Sequence, residues 1–171
     1  MMKNKFVSKR NVDVFNTPIE VGLRALIILN ELSAKSMDLN QLVIYDYMVT
    51  HSNDVDDSTE SLHPSIPYRS GEIVIKRKVM QEGINLMYSR ELLDIEYTKN
   101  GVYYKSNELT LYFIKHLAST YAQDVIQNAQ RLKEQFKRYS EMDLYEYINR
   151  NISKWGSEFT KESLVRGGFN E

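Results

Sequence analysis

Cysteine is absent from this 171-residue sequence, tryptophan occurs once, proline three times, and neither sign of charge dominates, with 22 Lys and Arg against 23 Asp and Glu. Without cysteine there is no disulfide framework, thiol nucleophile or thiolate metal site, so the cytoplasm is the expected compartment and redox chemistry a poor fit. A net charge of -1 does not suit a domain that holds DNA by phosphate neutralisation alone. Any nucleic-acid contact has to be local or shared with a partner. No apolar run approaches the roughly 18 residues that span a bilayer, and the opening "MMKNKFVSKR" is too polar for a secretory signal.

Enzyme signatures are missing too. There is no P-loop, no G-x-S-x-G elbow and no H-E-x-x-H. No Asp or Glu stands two residues before a lysine, which excludes the common restriction-type metal-dependent nuclease. No catalytic residue, cofactor or metal is expected.

What is present reads as one mainly helical domain, long enough to bury roughly 70% of the surface its unfolded chain exposes. In "FNTPIEVGLRALIILNEL" Thr17 is the N-cap, Pro18 the first helical residue and Glu20 the third. Leu23, Leu26, Ile27, Ile28 and Leu29 make this helix apolar on most sides, interrupted by Arg24, so it should lie centrally. Asp38 caps a second helix, "LNQLVIYDYMVTH". Turn formers and acids fill Ser52 to Ser70, and Ser70 is placed to cap a third helix from about Gly71 to Arg90, with Ile75, Val79, Gly83, Leu86 and Met87 along one side.

The period then changes to two. Leu93, Ile95 and Tyr97 alternate with Asp94, Glu96 and Thr98, and Asn100-Gly101 suits a type I′ turn that sets Tyr97 opposite Tyr104 and Glu96 opposite Lys105. Helices follow: a stripe of Leu109, Phe113 and Leu117; a longer helix capped by Thr120 with Gln123, its stripe Tyr121, Val125, Ala129, Leu132 and Phe136; and a last one with Tyr145, Ile148, Ile152 and Trp155. This is the order of a winged helix-turn-helix, with 14–118 as the core, 71–90 in the place of a recognition helix, 92–106 as the wing, 119–156 as a C-terminal helical extension and 157–171 as a flexible tail. Fold alone does not assign function.

Three clusters are candidates for chemistry. "DVDDSTE" offers Asp54, Asp56 and Ser58 in the manner of a calcium loop, but the glycine of the sixth position is missing and Ser65 occupies the twelfth, so a solvated acidic loop is the expectation. His51 and His63 flank that loop beside Asp54 and Asp57, yet they lack metal-ligand spacing, and His116 lies apart. A metal hydrolase built on them is the weakest reading. "IKRK" places Lys76, Arg77 and Lys78 early in the third helix behind Arg69, as a helix gripping a DNA backbone would. Successive residues point about 100° apart, however, so salt bridges to acids such as Glu72 and Glu82 compete with that reading. Tyr103, Tyr139, Tyr145, Tyr147 and Trp155 suit a protein interface or a core.

Three stretches, "NTPIEVGLRALIILNE", "LVIYDYMVTHS" and "SLHPSIPYRSGEIVIKRKVMQEGINLMYSRELL", together resemble the middle-component family of bacterial ABC-three-component systems, the small third subunit of Lamassu-type anti-phage defence complexes. The resemblance covers most of residues 14–120. It implies a non-catalytic subunit at or near the heads of an SMC-like coiled-coil ATPase, bridging it to an effector such as a nuclease and holding that effector inactive until DNA is sensed. Of the matching positions, Asn16, Thr17, Pro18, Glu20, Gly22 and Arg24 read as partly structural. His63, Pro64, Pro67, Tyr68, Arg69 and Glu72 are the candidates for partner docking, with Ser70 and Gly71 between them; Lys76, Arg77 and Lys78 are the candidates for DNA contact. The alternative is an autonomous winged-helix transcription regulator.

Overall fold

The computed structural model describes residues 16–32, 36–64 and 72–155. Six helices and one hairpin follow in order: α1 (Pro18–Leu32), α2 (Leu39–Thr50), a single 3-10 turn (Ser52–Asp54), α3 (Glu72–Tyr88), β1 (Asp94–Thr98), β2 (Gly101–Lys105), α4 (Glu108–Ile114), α5 (Thr120–Phe136) and α6 (Glu141–Trp155). The fold is mainly α with a single two-stranded antiparallel sheet among the described residues, and its order fits a winged helix with C-terminal helices.

The caps that begin α1 and α2 are those the sequence predicts. Glu20 N–H donates to Thr17 Oγ1 at 3.3 Å, and Asp38 and Gln41 exchange both bonds of a capping box. Helix α1 is apolar on most sides because it is enclosed: α3 and α5 pack on it most extensively, with α2 and α4 beside them. Leu26, Ile27, Ile28 and Leu29 are fully buried, and α5 contributes Val125, Ala129 and Leu132 to the same core. Helices α1 and α3 cross at two glycines. A Cβ on Gly83 would stand 2.6 Å from the Pro18 carbonyl oxygen, and one on Gly22 would stand 2.8 Å from the Gly83 carbonyl oxygen. Only hydrogen side chains permit so close an approach. On α3 the buried side is Met80, Gly83, Ile84 and Met87, with Val79 and Leu86 half-buried at its edges. Ser70 and Gly71, expected to open this helix, lie outside the described residues, as does the Ile75 side chain.

The hairpin forms where expected, but in another register. Tyr104 pairs with Ile95, Glu96 with Tyr103, Tyr97 with Val102 and Asp94 with Lys105, so the loop is Lys99–Asn100 rather than Asn100–Gly101. Thr98 Oγ1 accepts the Asn100 N–H and donates to the Gly101 carbonyl, both at 3.1 Å, and Gly101 opens β2 at φ +141°. Asn100 keeps a negative φ, which a type I′ turn forbids. Packing selects this pairing: Tyr104 is buried beside Ile95, and its backbone exchanges two hydrogen bonds, 2.8 and 2.9 Å, with Met37 in the joint between α1 and α2. A shift of two residues leaves each side chain on its predicted face. It nevertheless moves Tyr97 out to the tip, and it makes the Glu96–Lys105 ion pair, 3.6 Å, diagonal instead of directly opposed.

Two further expectations are corrected in the C-terminal half. Helix α5 is capped by Ser119, which accepts the Ala122 N–H at 3.2 Å, whereas Gln123 reaches back to the Leu117 carbonyl. The serine one position earlier takes the role given to Thr120. On α4, Leu109 is exposed, and the buried positions are Thr110 and Ile114. An Asn107–Thr110 capping box, with Asn107 also donating to the Glu91 carbonyl, sets the rotation of this short helix.

Candidate functional site

Charged and polar side chains converge inside the molecule, where α1, α2, the 51–63 loop and α5 meet. Arg24 is the centre. Its guanidinium forks onto Asp46, with Nε to Oδ1 at 2.5 Å and Nη2 to Oδ2 at 3.1 Å, and both residues are buried, at 1% and 5% exposure. Nη1 donates to the Tyr121 hydroxyl at 3.2 Å, Nη2 to Asn16 Oδ1 at 3.4 Å, and Glu20 lies 3.6 Å away. Burial opposes the guanidinium charge, but the Asp46 carboxylate outweighs it and holds the Arg24 pKa above its ordinary value. For Glu20 burial wins over Arg24, and its carboxyl is pushed up. The Tyr121 phenol is also pushed up, by burial first.

From Tyr121 the network passes to the loop. Its hydroxyl shares a 2.8 Å hydrogen bond with His63 Nε2. The His63 ring stands edge-on to His51 at 6.0 Å, and His51 stacks on Tyr47 at 4.5 Å. Tyr47 in turn donates its hydroxyl hydrogen to Asp54, and the Lys76 ammonium sits over its ring, 5.2 Å from the centroid. Both imidazoles are pushed down to about 4. Burial is the main cause for each, seconded by Lys76 at His51 and by Arg24 at His63. An imidazole held there is neutral at pH 7 and a weak base.

The same cluster caps the end of α2, whose last carbonyls have no helical partner. The Thr50 carbonyl accepts the N–H groups of Leu62 and His63, at 2.9 and 3.1 Å, and the Val49 carbonyl accepts from the Asn128 side chain of α5 at 3.0 Å. Among the described residues, every buried side-chain nitrogen and oxygen has a hydrogen-bond partner. The arrangement is therefore a satisfied polar core that locks three helices and the 51–63 loop together.

The predicted site residues are distributed unevenly about this core. His63 lies inside it, 7% exposed. Pro64 is exposed at the surface; Pro67, Tyr68 and Arg69 lie outside the described residues, and Glu72 is the first residue of α3. The basic triplet fans out as its spacing requires: Lys76 to the Tyr47 ring, Arg77 to the Asn40 side-chain oxygen, and Lys78 outward, 4.0 Å from Glu82. His51 and His63 do come together, and no described group of three or more His, Cys, Asp or Glu could hold a metal ion. In the acidic loop Asp56 Oδ1 accepts from Ser58 N–H and Oγ, a local turn.

The Arg24–Asp46–Tyr121 centre is what sequence reasoning missed. A signal existed. Each of two apolar helical segments, "VGLRALIIL" and "LVIYDYMV", carries one charge, of opposite sign, and a lone buried charge requires a partner.

No described helix is long and apolar enough to cross a membrane. No curated protein and no solved structure matches the chain. The family model for Middle Component 2 of ABC-three-component systems matches residues 14–158, which spans α1 to α6 and the whole polar core. A component of such a system works with protein partners. The chain belongs to the Middle Component 2 family of ABC-three-component systems.

Proposed function

We propose that this protein is the non-catalytic assembly and regulatory subunit of an anti-phage or anti-plasmid defence complex of Lamassu type. It bridges an SMC-like ABC ATPase, at or near the ATPase heads, to an effector such as a nuclease, and it holds the effector inactive in the cytoplasm until DNA is sensed. The observation that carries this reading is the family match over most of the chain. The polar core supports it, because its titratable groups are engaged with one another and its imidazoles are far from the pKa of a working base.

In this reading the first partner docks on residues 63–72, through Pro64, Pro67, Tyr68, Arg69 and Glu72. His63 is the inward anchor of that segment, tied to the Tyr121 hydroxyl and to the Thr50 carbonyl. The chain is read as one domain, a reading supported by α5 packing into the same core as α1, and 14–118 and 119–156 should then unfold together. DNA is met through the assembled complex, and Lys78, the outward member of the basic triplet, is the residue of this chain best placed to touch it.

Co-expression with the neighbouring ATPase and effector genes tests the proposal. Tagged ATPase should bring down this chain and the effector together, and Arg69→Glu should lower that recovery. A chain that stays alone beside both products, or that binds duplex DNA tightly by itself at low salt, would contradict it.

A further inference from the structure

The hydrogen-bond partners around His63 and His51 fix where each ring carries its proton. Arg24 Nη1 can only donate, so the Tyr121 hydroxyl oxygen accepts from it at 3.2 Å and has its own hydrogen left for His63 Nε2, 2.8 Å away. His63 Nε2 is therefore the acceptor, and the ring is neutral with its hydrogen on Nδ1. At His51, Nδ1 faces the Tyr47 carbonyl at 3.3 Å and the Thr50 hydroxyl at 3.1 Å, and that hydroxyl gives its hydrogen to the Asp46 carbonyl at 2.7 Å. A carbonyl only accepts, so here too the hydrogen is on Nδ1.

A second proton is badly placed on either ring. On His63 it turns Nε2 from acceptor to donor, against a hydroxyl to which Arg24 already donates. Both rings are buried and stand edge-on at 6.0 Å. Charged and titratable groups face them from every surrounding element: Glu20 and Arg24 of α1, Asp46 and Tyr47 of α2, Asp54 of the 3-10 turn, Lys76 of α3 and Tyr121 of α5. Burial and the two cations oppose the added charge, Asp46 and Asp54 favour it, and burial decides the balance, holding both pKa values down at about 4.

What such a proton releases is local. No residue of 51–63 belongs to the buried apolar core; Val55 and Leu62 lean on it half-buried. Polar ties hold the loop instead: the Leu62 and His63 N–H groups to the Thr50 carbonyl, His63 to Tyr121, and the Asn128 side chain to Ser52 Oγ at 3.4 Å. Internal bonds keep its shape, from Ser52 Oγ to the Glu60 carbonyl and from the Asn53 side chain to the Asp57 and Thr59 carbonyls. A segment tied in this way can swing out while the packed helices stay closed.

We infer that the 51–63 loop is a protonation-released strap: it is closed while His63 Nε2 accepts the Tyr121 hydroxyl hydrogen, and it opens locally, with the helical core intact, once His63 takes up a proton. The strap needs only this chain and stands whether or not the bridging reading holds.

Ring-nitrogen NMR and amide hydrogen exchange on the isolated full chain test this. At pH 7 the His63 ring should be the Nδ1–H tautomer. A hydrogen on Nε2, the result if Glu20 takes the tyrosine hydrogen instead, overturns the inference. From pH 7 to pH 5 the protection of the Leu62 and His63 amides, each measured against its own unstructured rate, should fall roughly 20-fold for the His63 ring, as its pKa moves from about 4 closed to roughly 6.5 open. At both pH values these amides should exchange about tenfold or more ahead of Leu26 to Leu29 in α1, the mark of a local opening. Equal protection in the strap and in α1 makes the opening global, and strap protection that ignores pH detaches it from the ring; either overturns the inference. His63→Gln keeps an acceptor for the hydroxyl and should shrink the fall by that same factor, whereas an undiminished fall in the folded variant overturns it.

Discussion

The junction of α1, α2 and α5 and the stretch from β1 to α4 reverse the usual distribution of residues. At the junction, inside the molecule, sit an arginine, an aspartate and two histidines, buried to within a few per cent. On the hairpin and α4, outside, sit Tyr97, Val102, Leu109 and Tyr112. The contrast separates what the fold requires from what it tolerates. Buried charge fixes one arrangement of helices, because each buried polar atom demands its partner. Exposed apolar side chains, ordinary on a surface, place no such demand. Substitutions inside should therefore change stability, and substitutions on the wing should leave it nearly unchanged.

The largest effect is expected at Arg24. Arg24→Met leaves Asp46 buried without its cation and should cost about 3–5 kcal/mol in urea unfolding, while adding Asp46→Leu should restore most of the loss. If Arg24→Met were neutral, the polar core would not be holding the helices.

Acid should open the same junction. His51 and His63 are held at about 4, below the roughly 6.5 of an unfolded chain, so the unfolded state binds more protons between those values. Their contribution is complete above pH 6.5 and is lost as the pH falls toward 4, on the order of 2–3 kcal/mol for each ring across the whole window. Unfolding free energies at pH 7.5 and 4.5 should differ accordingly, and His63→Gln should shrink that difference. A pH dependence unchanged by His63→Gln would mean that the His63 ring does not titrate with unfolding.

At the glycine crossing, Gly83→Ala pushes a methyl group against the Pro18 backbone and should cost about 1–3 kcal/mol. The smallest stability effect belongs to the wing, where Tyr97→Thr should stay within about 0.5 kcal/mol of wild type. A large loss there would mean that Tyr97 supports the fold and would erase the contrast.

How much of this could be read in the sequence depended on distance along the chain. The caps at Thr17 and Asp38 are local chemistry and were legible, as was the enclosure of α1 from its apolar residues. The hairpin was legible in its alternation, but its register was not. That register is set by the backbone bonds between Met37 and Tyr104, across more than sixty residues. Arg24 stood out as an interruption, yet its partners Asp46 and Tyr121 come from other helices, and Tyr121 read as one more member of an apolar stripe. Leu109 read as core because its spacing fits a stripe, whereas the Asn107–Thr110 cap rotates α4 so that Thr110 faces inward. His63 drew attention because it lies beside the two prolines, and its bond to Tyr121, 58 positions away, could not be read from that neighbourhood.

The most direct test of the bridging role is to purify the tagged ATPase from cells that carry the effector gene, with and without the gene for this chain. The effector should accompany the ATPase only when this chain is present. Equal recovery of the effector in its absence would contradict the bridging role.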